Sequence, residues 1–533
     1  MRLKEIDFSE VGQFSSRDKD YTLYPEKFND FLAYPFEFEA FEKIIENRQR
    51  INTDRVLLAS QLERQYKGVA SSQLTSKRIE LLKADSTFTI VTAHQPCLLT
   101  GPLYYIFKIL SCLNLADKLK LEFSDKDFVP VFILGAEDHD FEEINHLQVF
   151  GKKLEWSNEA MGAVGRRSTE GINEIIENLS SILGEKTEIK DLLSGFRDDL
   201  QNASDYADFS FRITHRLFDR FGLIILRMDE KPFKYAFRSA IKEEIFNSPS
   251  QALIESYQDK LSELGYSKQA HAREINFFYH CGAGRKRIIQ EADSFKIVDT
   301  NLSFTRAELA EEIDTHPENF SPNVIMRPLF QEYNLPNLAY IGGGGELAYW
   351  MERKSQFDHF GIPFPMLIRR NSAMITDERT LKQIDAMGLS CEDFFKDEHE
   401  IVKKYLELSD QPDYKLDQYI SSLSDVFSDM DERIKNIDPT LVKTSQSELA
   451  KTTKSIEQIE FRLKKRIKQK EEVQLNRIAK LKEKLFPGGL QERKVSIFEF
   501  MSSYGENLLD EMLPHMDVFS KSLKVFIPEK KGQ

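Results

Sequence analysis

Imidazole, carboxamide and carboxylate side chains gather in two short segments of this chain. They are Thr92-Ala93-His94-Gln95-Pro96-Cys97-Leu98-Leu99-Thr100-Gly101-Pro102 and, about forty residues on, Glu137-Asp138-His139-Asp140. Histidine and glutamine donate hydrogen bonds where negative charge develops. An Asp-His-Asp run can accept a proton or hold a magnesium counter-ion, or it can form an acid–histidine network at a sheet edge. Apolar runs at 88–91 and 128–134 precede the two clusters, and a helical pattern separates them. The order is strand, loop, helix, strand. In a parallel sheet such a unit puts both clusters beyond the carboxyl ends of the strands, so a nucleotide-type crevice is expected there.

The helix after the first loop can be built residue by residue. Thr100 or Gly101 can cap it, and Pro102 suits its first position, where a missing N–H costs nothing. Leu103, Ile106, Phe107, Leu110 and Leu113 form the stripe that packs on the sheet. Its N-terminus is expected to stay open to an anion, with Lys108 two turns in and leaning back toward it. A second candidate is Gly342-Gly343-Gly344-Gly345-Glu346 after a strand at 337–341, where glycines allow close backbone approach to a ligand. The pattern is neither a P-loop nor a dinucleotide fingerprint. A strand at 364–370 ends in Arg369 and Arg370, fork-shaped donors that suit a carboxylate or a phosphate, or an ion pair. Cys97, between Pro96 and Leu98, reads as a packed small residue rather than a nucleophile. His139, His146 and Cys97 lack a zinc spacing, so no resident metal is expected.

The 533 residues exceed what one core supports, so two or three domains are expected. The charge of 73 − 87 = −14 disfavours a nucleic-acid binder. The four cysteines show no CxxC spacing, the first residues contain no signal-peptide apolar region, and no run approaches a membrane span. These features point to a cytoplasmic protein without membrane attachment.

Residues 26–84 read as helical, and 151–205 are polar, with Gly162-Ala163-Val164-Gly165-Arg166-Arg167 expected to be a flexible insertion. Strand character returns near 223–228, 275–280 and 295–298. From about 392 to 485 an apolar stripe with spacings near 3.5 runs through charged helical sequence, as in a coiled coil. Asn436-Ile437-Asp438-Pro439 predicts that this arm is a hairpin of two helices. The reading is an α/β protein with a parallel-sheet core at 1–390, connector insertions at about 151–300, a helical arm at 391–486, and a segment at 487–533 returning to the core.

With those residues in view, the chain resembles the bacillithiol biosynthesis cysteine-adding enzymes, the BshC family, over essentially its full length. The resemblance rests on the loop and helix start at 92–104, Val129 to Asp140, Met326-Arg327-Pro328 through Gln331, Ala339 to Gly343, and Leu490-Gln491-Glu492-Arg493. Departures stand at Ala93, His94, Cys97 and Gly344-Gly345, where the family pattern has Gly, Gln, Gly and Pro-Ala. The resemblance implies a Rossmann-like core, a coiled-coil arm that pairs two subunits, and a ligase joining the cysteine carboxyl group to the amine of glucosaminyl malate. ATP would activate the carboxyl as an adenylate or an acyl-phosphate, with magnesium as a candidate counter-ion. His94, Gln95, Asp138 and His139 would be catalytic. Thr100, Gly101, Lys108, Gly342, Gly343 and Gly344 would hold the nucleotide, and Asp140, Arg327, Arg369 and Arg370 the substrate. Two other readings remain open: a nucleotide-binding enzyme of other chemistry, such as nucleotidyl transfer, and a nucleotide-binding coiled-coil scaffold.

Overall fold

The computed structural model describes residues 1–158, 162–184, 186–282, 284–409 and 415–529. They divide into two compact units, Met1–Asp377 with Gly488–Gln533, and Glu378–Pro487.

The first unit is organised by five strands: β1 (Thr87–His94), β2 (Asp127–Leu134), β3 (Ile224–Leu226), β4 (Asn337–Gly342) and β5 (Met366–Arg369). Their order is β5-β4-β1-β2-β3 and every pairing is parallel. β1 and β2 are buried nearly end to end, as strands covered on both faces must be, which explains their continuous apolar and β-branched runs. The chain builds outward from β1 to β3 on one side and then crosses to β4 and β5 on the other. Strand order therefore reverses between β1 and β4, the point at which a parallel sheet opens a crevice.

Helix α1 (Leu103–Glu122) links β1 to β2. It buries the expected stripe and also Tyr105, Ile109, Cys112 and Leu115, so as far as Ala116 it is buried on all faces. A helix of that kind needs cover on every side. The returning chain supplies it: Leu103 N–H donates to Val495 O at 2.8 Å, and Asn114 Nδ2 donates to Leu513 O at 3.0 Å. The strand Ser522–Ile527 lies between Arg2–Asp7, antiparallel, and Ala373–Ile375, parallel.

Two helices that carry site residues flank β4, namely α2 (Arg327–Asn334) before it and α3 (Gly344–Trp350) after it. An antiparallel sheet is inserted between β3 and β4. Its five strands run in the order Ser303–Thr305, Ser294–Ile297, Gly284–Glu291, Phe277–Cys281 and Phe320–Pro322. The segment Gly162–Arg167 is not the flexible insertion expected from its glycines. Val164 N–H donates to Asp138 O at 2.6 Å and Gly165 N–H to Ala136 O at 3.0 Å, and a Cβ on Gly165 would lie 2.5 Å from that of Ala136. Its small residues are there for close packing behind the loop after β2.

In the second unit, α4 (Glu398–Leu408) is followed by a hairpin of α5 (Asp417–Ile437) and α6 (Val442–Lys470), then by α7 (Glu472–Leu485). The turn Pro439–Leu441 reverses the chain where the sequence places a break. The stripe expected to run on to Leu485 is interrupted at Glu471, which ends α6. No residue of α5 is buried, and Tyr419, Val426, Phe461 and Val473 are exposed. Among the described residues no helix is long and apolar enough to cross a membrane.

Candidate active site

A cavity of about 850 Å³ opens at the carboxyl ends of β1, β2 and β4, at the reversal of strand order. His94 and Gln95 enter it from β1, Glu137, Asp138 and His139 from the loop after β2, and Gly343 through Glu346 from the turn after β4. Arg327, at the first turn of α2, closes another wall, and Arg285 reaches in from the inserted sheet.

His94 is held as a neutral ring. Its Nδ1 lies 3.2 Å from Gln95 O and 3.3 Å from Cys97 Sγ, and Tyr104 and Tyr105 pack beside it. Burial, reinforced by the Lys108 ammonium, pushes its pKa down to about 3. A carbonyl only accepts, so the contact with Gln95 O places the proton on Nδ1 and leaves Nε2 an acceptor. The neighbouring thiol is disabled: burial pushes Cys97 up to about 12, far from a reactive thiolate.

Carboxylates stand in two environments. Glu346 and Glu137 are each tied to a buried lysine, Lys108 Nζ at 2.5 Å and Lys234 Nζ at 2.7 Å. Burial alone would raise both acids. For Glu346 the lysine and the Gly343 N–H, and for Glu137 the lysine and His280, outweigh it and hold each carboxyl at about 2. Asp138 has no lysine or arginine within ion-pair reach among the described residues. It accepts from Gln95 Nε2 at 2.6 Å and from the N–H of His139 at 2.7 Å, bonds that overcome burial and keep it ionised. Glu143, also in the lining, is shifted upward by burial and by the nearby Asp140 and Asp138. The site thus offers one ionised acceptor beside one carboxyl that takes up a proton more readily.

Several expected residues are placed otherwise. Thr100 and Gly101 are buried outside the lining. Gly101 adopts φ +60°, and a Cβ there would lie 2.8 Å from Cys97 Cβ, so it serves the turn and not an anion. The N-terminus of α1 is not open: Pro102 is its cap, Leu103 begins it, and the Leu103 N–H is already bonded to Val495 O. Lys108 lines the cavity, but its charge goes to Glu346 and to Ala93 O, at 2.9 Å. Asp140 lies outside the lining and caps the short helix Phe141–Ile144, accepting from Glu143 N at 3.3 Å. Gly342 ends β4 short of the cavity, whereas Gly343 and Gly344 line it. A Cβ on Gly344 would fall 2.3 Å from Asp18 Cγ, so this glycine makes room for an acid. That acid holds Arg369, at 2.7 Å and 3.1 Å, in a buried pair away from the cavity. Arg370 does reach the lining, but Glu492 binds it at 2.8 Å and 3.1 Å.

Sequence reasoning missed Arg285 and Glu143 as parts of the site, Lys234, which holds Glu137 from outside the lining, and the part played by the Glu346 side chain. Glu346 alone carried a signal, as the third residue of a helix that follows a glycine cap: its Oε2 accepts from Gly343 N at 2.8 Å. Arg285 sits on a polar strand, Gly284–Glu291, beside Lys286 and Arg287, and nothing local marks it.

Comparison with known proteins finds relatives that match nearly the whole chain in sequence. Residues 1–371 match the family model for the N-terminal Rossmann-like domain of bacillithiol biosynthesis BshC, and residues 373–527 match that for its C-terminal coiled-coil domain. A Flavobacterium johnsoniae protein described as "Putative cysteine ligase BshC" is 37% identical over 511 residues, covering 95% of this chain and 96% of its own. Proteins of the same description from Christiangramia forsetii and Bacillus cereus are 34% and 29% identical, covering 98% and 96% of this chain and 98% and 97% of theirs.

Proposed function

Because the chain belongs to the BshC family of bacillithiol biosynthesis, we propose that it is the ligase that uses ATP to join the cysteine carboxyl group to the amine of glucosaminyl malate. One observation supports this most directly. In a chain of net charge −14, the cavity at the sheet's reversal point carries Arg273, Arg285 and Arg327 with no carboxylate in ion-pair reach among the described residues, next to the acids Asp138 and Glu143. Such a lining suits ligands that are strongly anionic and, on one side, cationic.

ATP supplies the activation that a free carboxylate lacks toward an amine. The donor set fits it: the Arg273 guanidinium, in the lining without a carboxylate in ion-pair reach among the described residues, complements phosphate, and Gly345 puts no side chain in the way. His94 and Gln95 orient the reacting carboxyl. The Gln95 amide, held by Asp138 through one N–H, donates the other to the carboxyl, and the neutral His94 presents Nε2 as an acceptor to the ammonium of the cysteine. Asp138 receives the sugar ammonium, and Glu143 is placed to accept its proton. Magnesium would be the counter-ion of the nucleotide, and a reducing cytoplasm suits the four cysteines, Cys97, Cys112, Cys281 and Cys391, which form no disulfide with one another.

Cells lacking the protein should lose bacillithiol and accumulate glucosaminyl malate, measured by thiol profiling with mass spectrometry. Unchanged thiol levels in the absence of a second such enzyme would reject the assignment. Nucleotide transfer to a substrate, or nucleotide binding without turnover, would favour the alternative chemistries.

The helical unit is proposed to pair two subunits, since its exposed Tyr419, Val426, Phe461 and Val473 need cover that one hairpin does not provide. Joining residue 377 to residue 488 through a short linker should turn a dimer into a monomer, as read by light scattering. A dimer that survives the deletion places the interface elsewhere.

A further inference from the structure

Two guanidinium groups in the cavity are fixed in position without a carboxylate in ion-pair reach among the described residues. Arg285 donates from Nε to Ser321 Oγ at 3.0 Å and from a terminal nitrogen to Pro322 O at 2.9 Å, and it lies over the Phe278 ring at 4.1 Å. A second terminal nitrogen faces His139 Nδ1 at 3.4 Å. Arg327 donates to the Tyr349 hydroxyl at 2.8 Å, and neighbouring tyrosines and Glu346 outweigh its burial to favour the charged form. One stretch of chain sets both: Arg285 grips residues 321 and 322, and the Arg327 N–H donates to Asn323 O at 2.9 Å.

These two differ from the arginines at the end of β5. Arg369 and Arg370 are spent on Asp18 and Glu492. Planar guanidinium groups held by packing and neutral acceptors are suited to carboxylates. Arg285 also feels the acids Glu137 and Asp138. A triphosphate would be repelled on that side, whereas a ligand carrying an ammonium close to its anionic groups would be matched by the same mixed field.

We propose that Arg285 and Arg327 form a two-point receptor for the two carboxylates of the substrate's dicarboxylate arm, with Arg285 as the residue that tells a dicarboxylate from a monocarboxylate. This rests on glucosaminyl malate being the substrate. The inserted antiparallel sheet then brings a specificity residue to a site whose other groups stand on the parallel sheet and its helices.

The test is calorimetric binding of L-malate and L-lactate to the full-length protein and to its Arg285→Gln and Arg285→Lys variants. The wild type should prefer malate by about tenfold or more, the discrimination expected when a charged hydrogen-bonding partner is present in one ligand and missing from the other. Arg285→Gln should bring that ratio close to one with lactate affinity little changed, and Arg285→Lys should keep part of it. If Arg285→Gln does not fold, the reduced ratio in Arg285→Lys decides. A variant that keeps the full preference overturns the inference. Glucosaminyl malate turnover in a wild type that shows no malate preference overturns the receptor and leaves the ligase reading standing. A wild type that neither binds malate nor turns over glucosaminyl malate removes both.

Discussion

Asp138→Asn should lower turnover by about 10²- to 10⁴-fold, the range in which general acid–base groups contribute, with melting temperature little changed. Asparagine keeps the shape of the side chain and can still meet the Gln95 amide, now 2.6 Å from Asp138 Oδ2. It removes the charge that would hold an ammonium and the acceptor that shapes the field around Glu143. Steady-state turnover with saturating substrates, read beside a thermal melt, separates the two effects. Near-normal turnover would mean that Asp138 does not hold the ammonium and that Glu143, whose carboxyl is shifted upward by burial and by its acidic neighbours, acts without it.

The largest stability effect is expected at Glu492→Ala, about 3–5 kcal/mol, because it strands a buried guanidinium without its counter-charge. Glu492 is 1% exposed and binds Arg370 at 2.8 Å and 3.1 Å, Ser372 Oγ at 3.2 Å and the Ala373 N–H at 3.1 Å. Urea unfolding measures the loss, and a change under about 1 kcal/mol would mean that the site relaxes to admit water. Glu492→Gln adds a pH signature. Burial raises the Glu492 carboxyl, but Arg370 outweighs it and leaves it below its ordinary 4.5. The wild-type advantage over Glu492→Gln should therefore be fully present above that value and shrink as the pH falls below it.

The parallel sheet was legible because its signals are local. Runs of apolar residues at 88–91, 128–134 and 337–341 each end in polar or glycine residues, and β1, β2 and β4 form there. The meeting of His94, Gln95 and Asp138 in one cavity was legible for the same reason, since the βαβ rule puts strand ends side by side. The roles expected of Arg369 and Lys108 were not, because each side chain's fate depends on a partner far along the chain, Asp18 and Glu346 respectively. No spacing rule links residues 351 positions apart. The anion site expected at the start of α1 was missed for a related reason: the carbonyl of Val495, which takes the Leu103 N–H, is contributed by a segment almost four hundred residues later. Periodicity reports which face of an element is buried and leaves open which chain segment buries it.

The return of residues 488–527 to the first unit bears on how the protein is made. Helix α1 is buried on all faces as far as Ala116, Arg370 is neutralised by Glu492, and the strand Ser522–Ile527 sits between Arg2–Asp7 and Ala373–Ile375. A ribosome emits residues 1–377 and then the whole helical unit before any of these partners exists. Until then α1 lacks its cover and the Arg370 guanidinium its counter-charge. The nascent chain must keep this half-built centre from associating with others during that interval, so this protein should depend on chaperones during synthesis, and a premature stop even about forty residues from the end would leave a product with an unfinished catalytic wall.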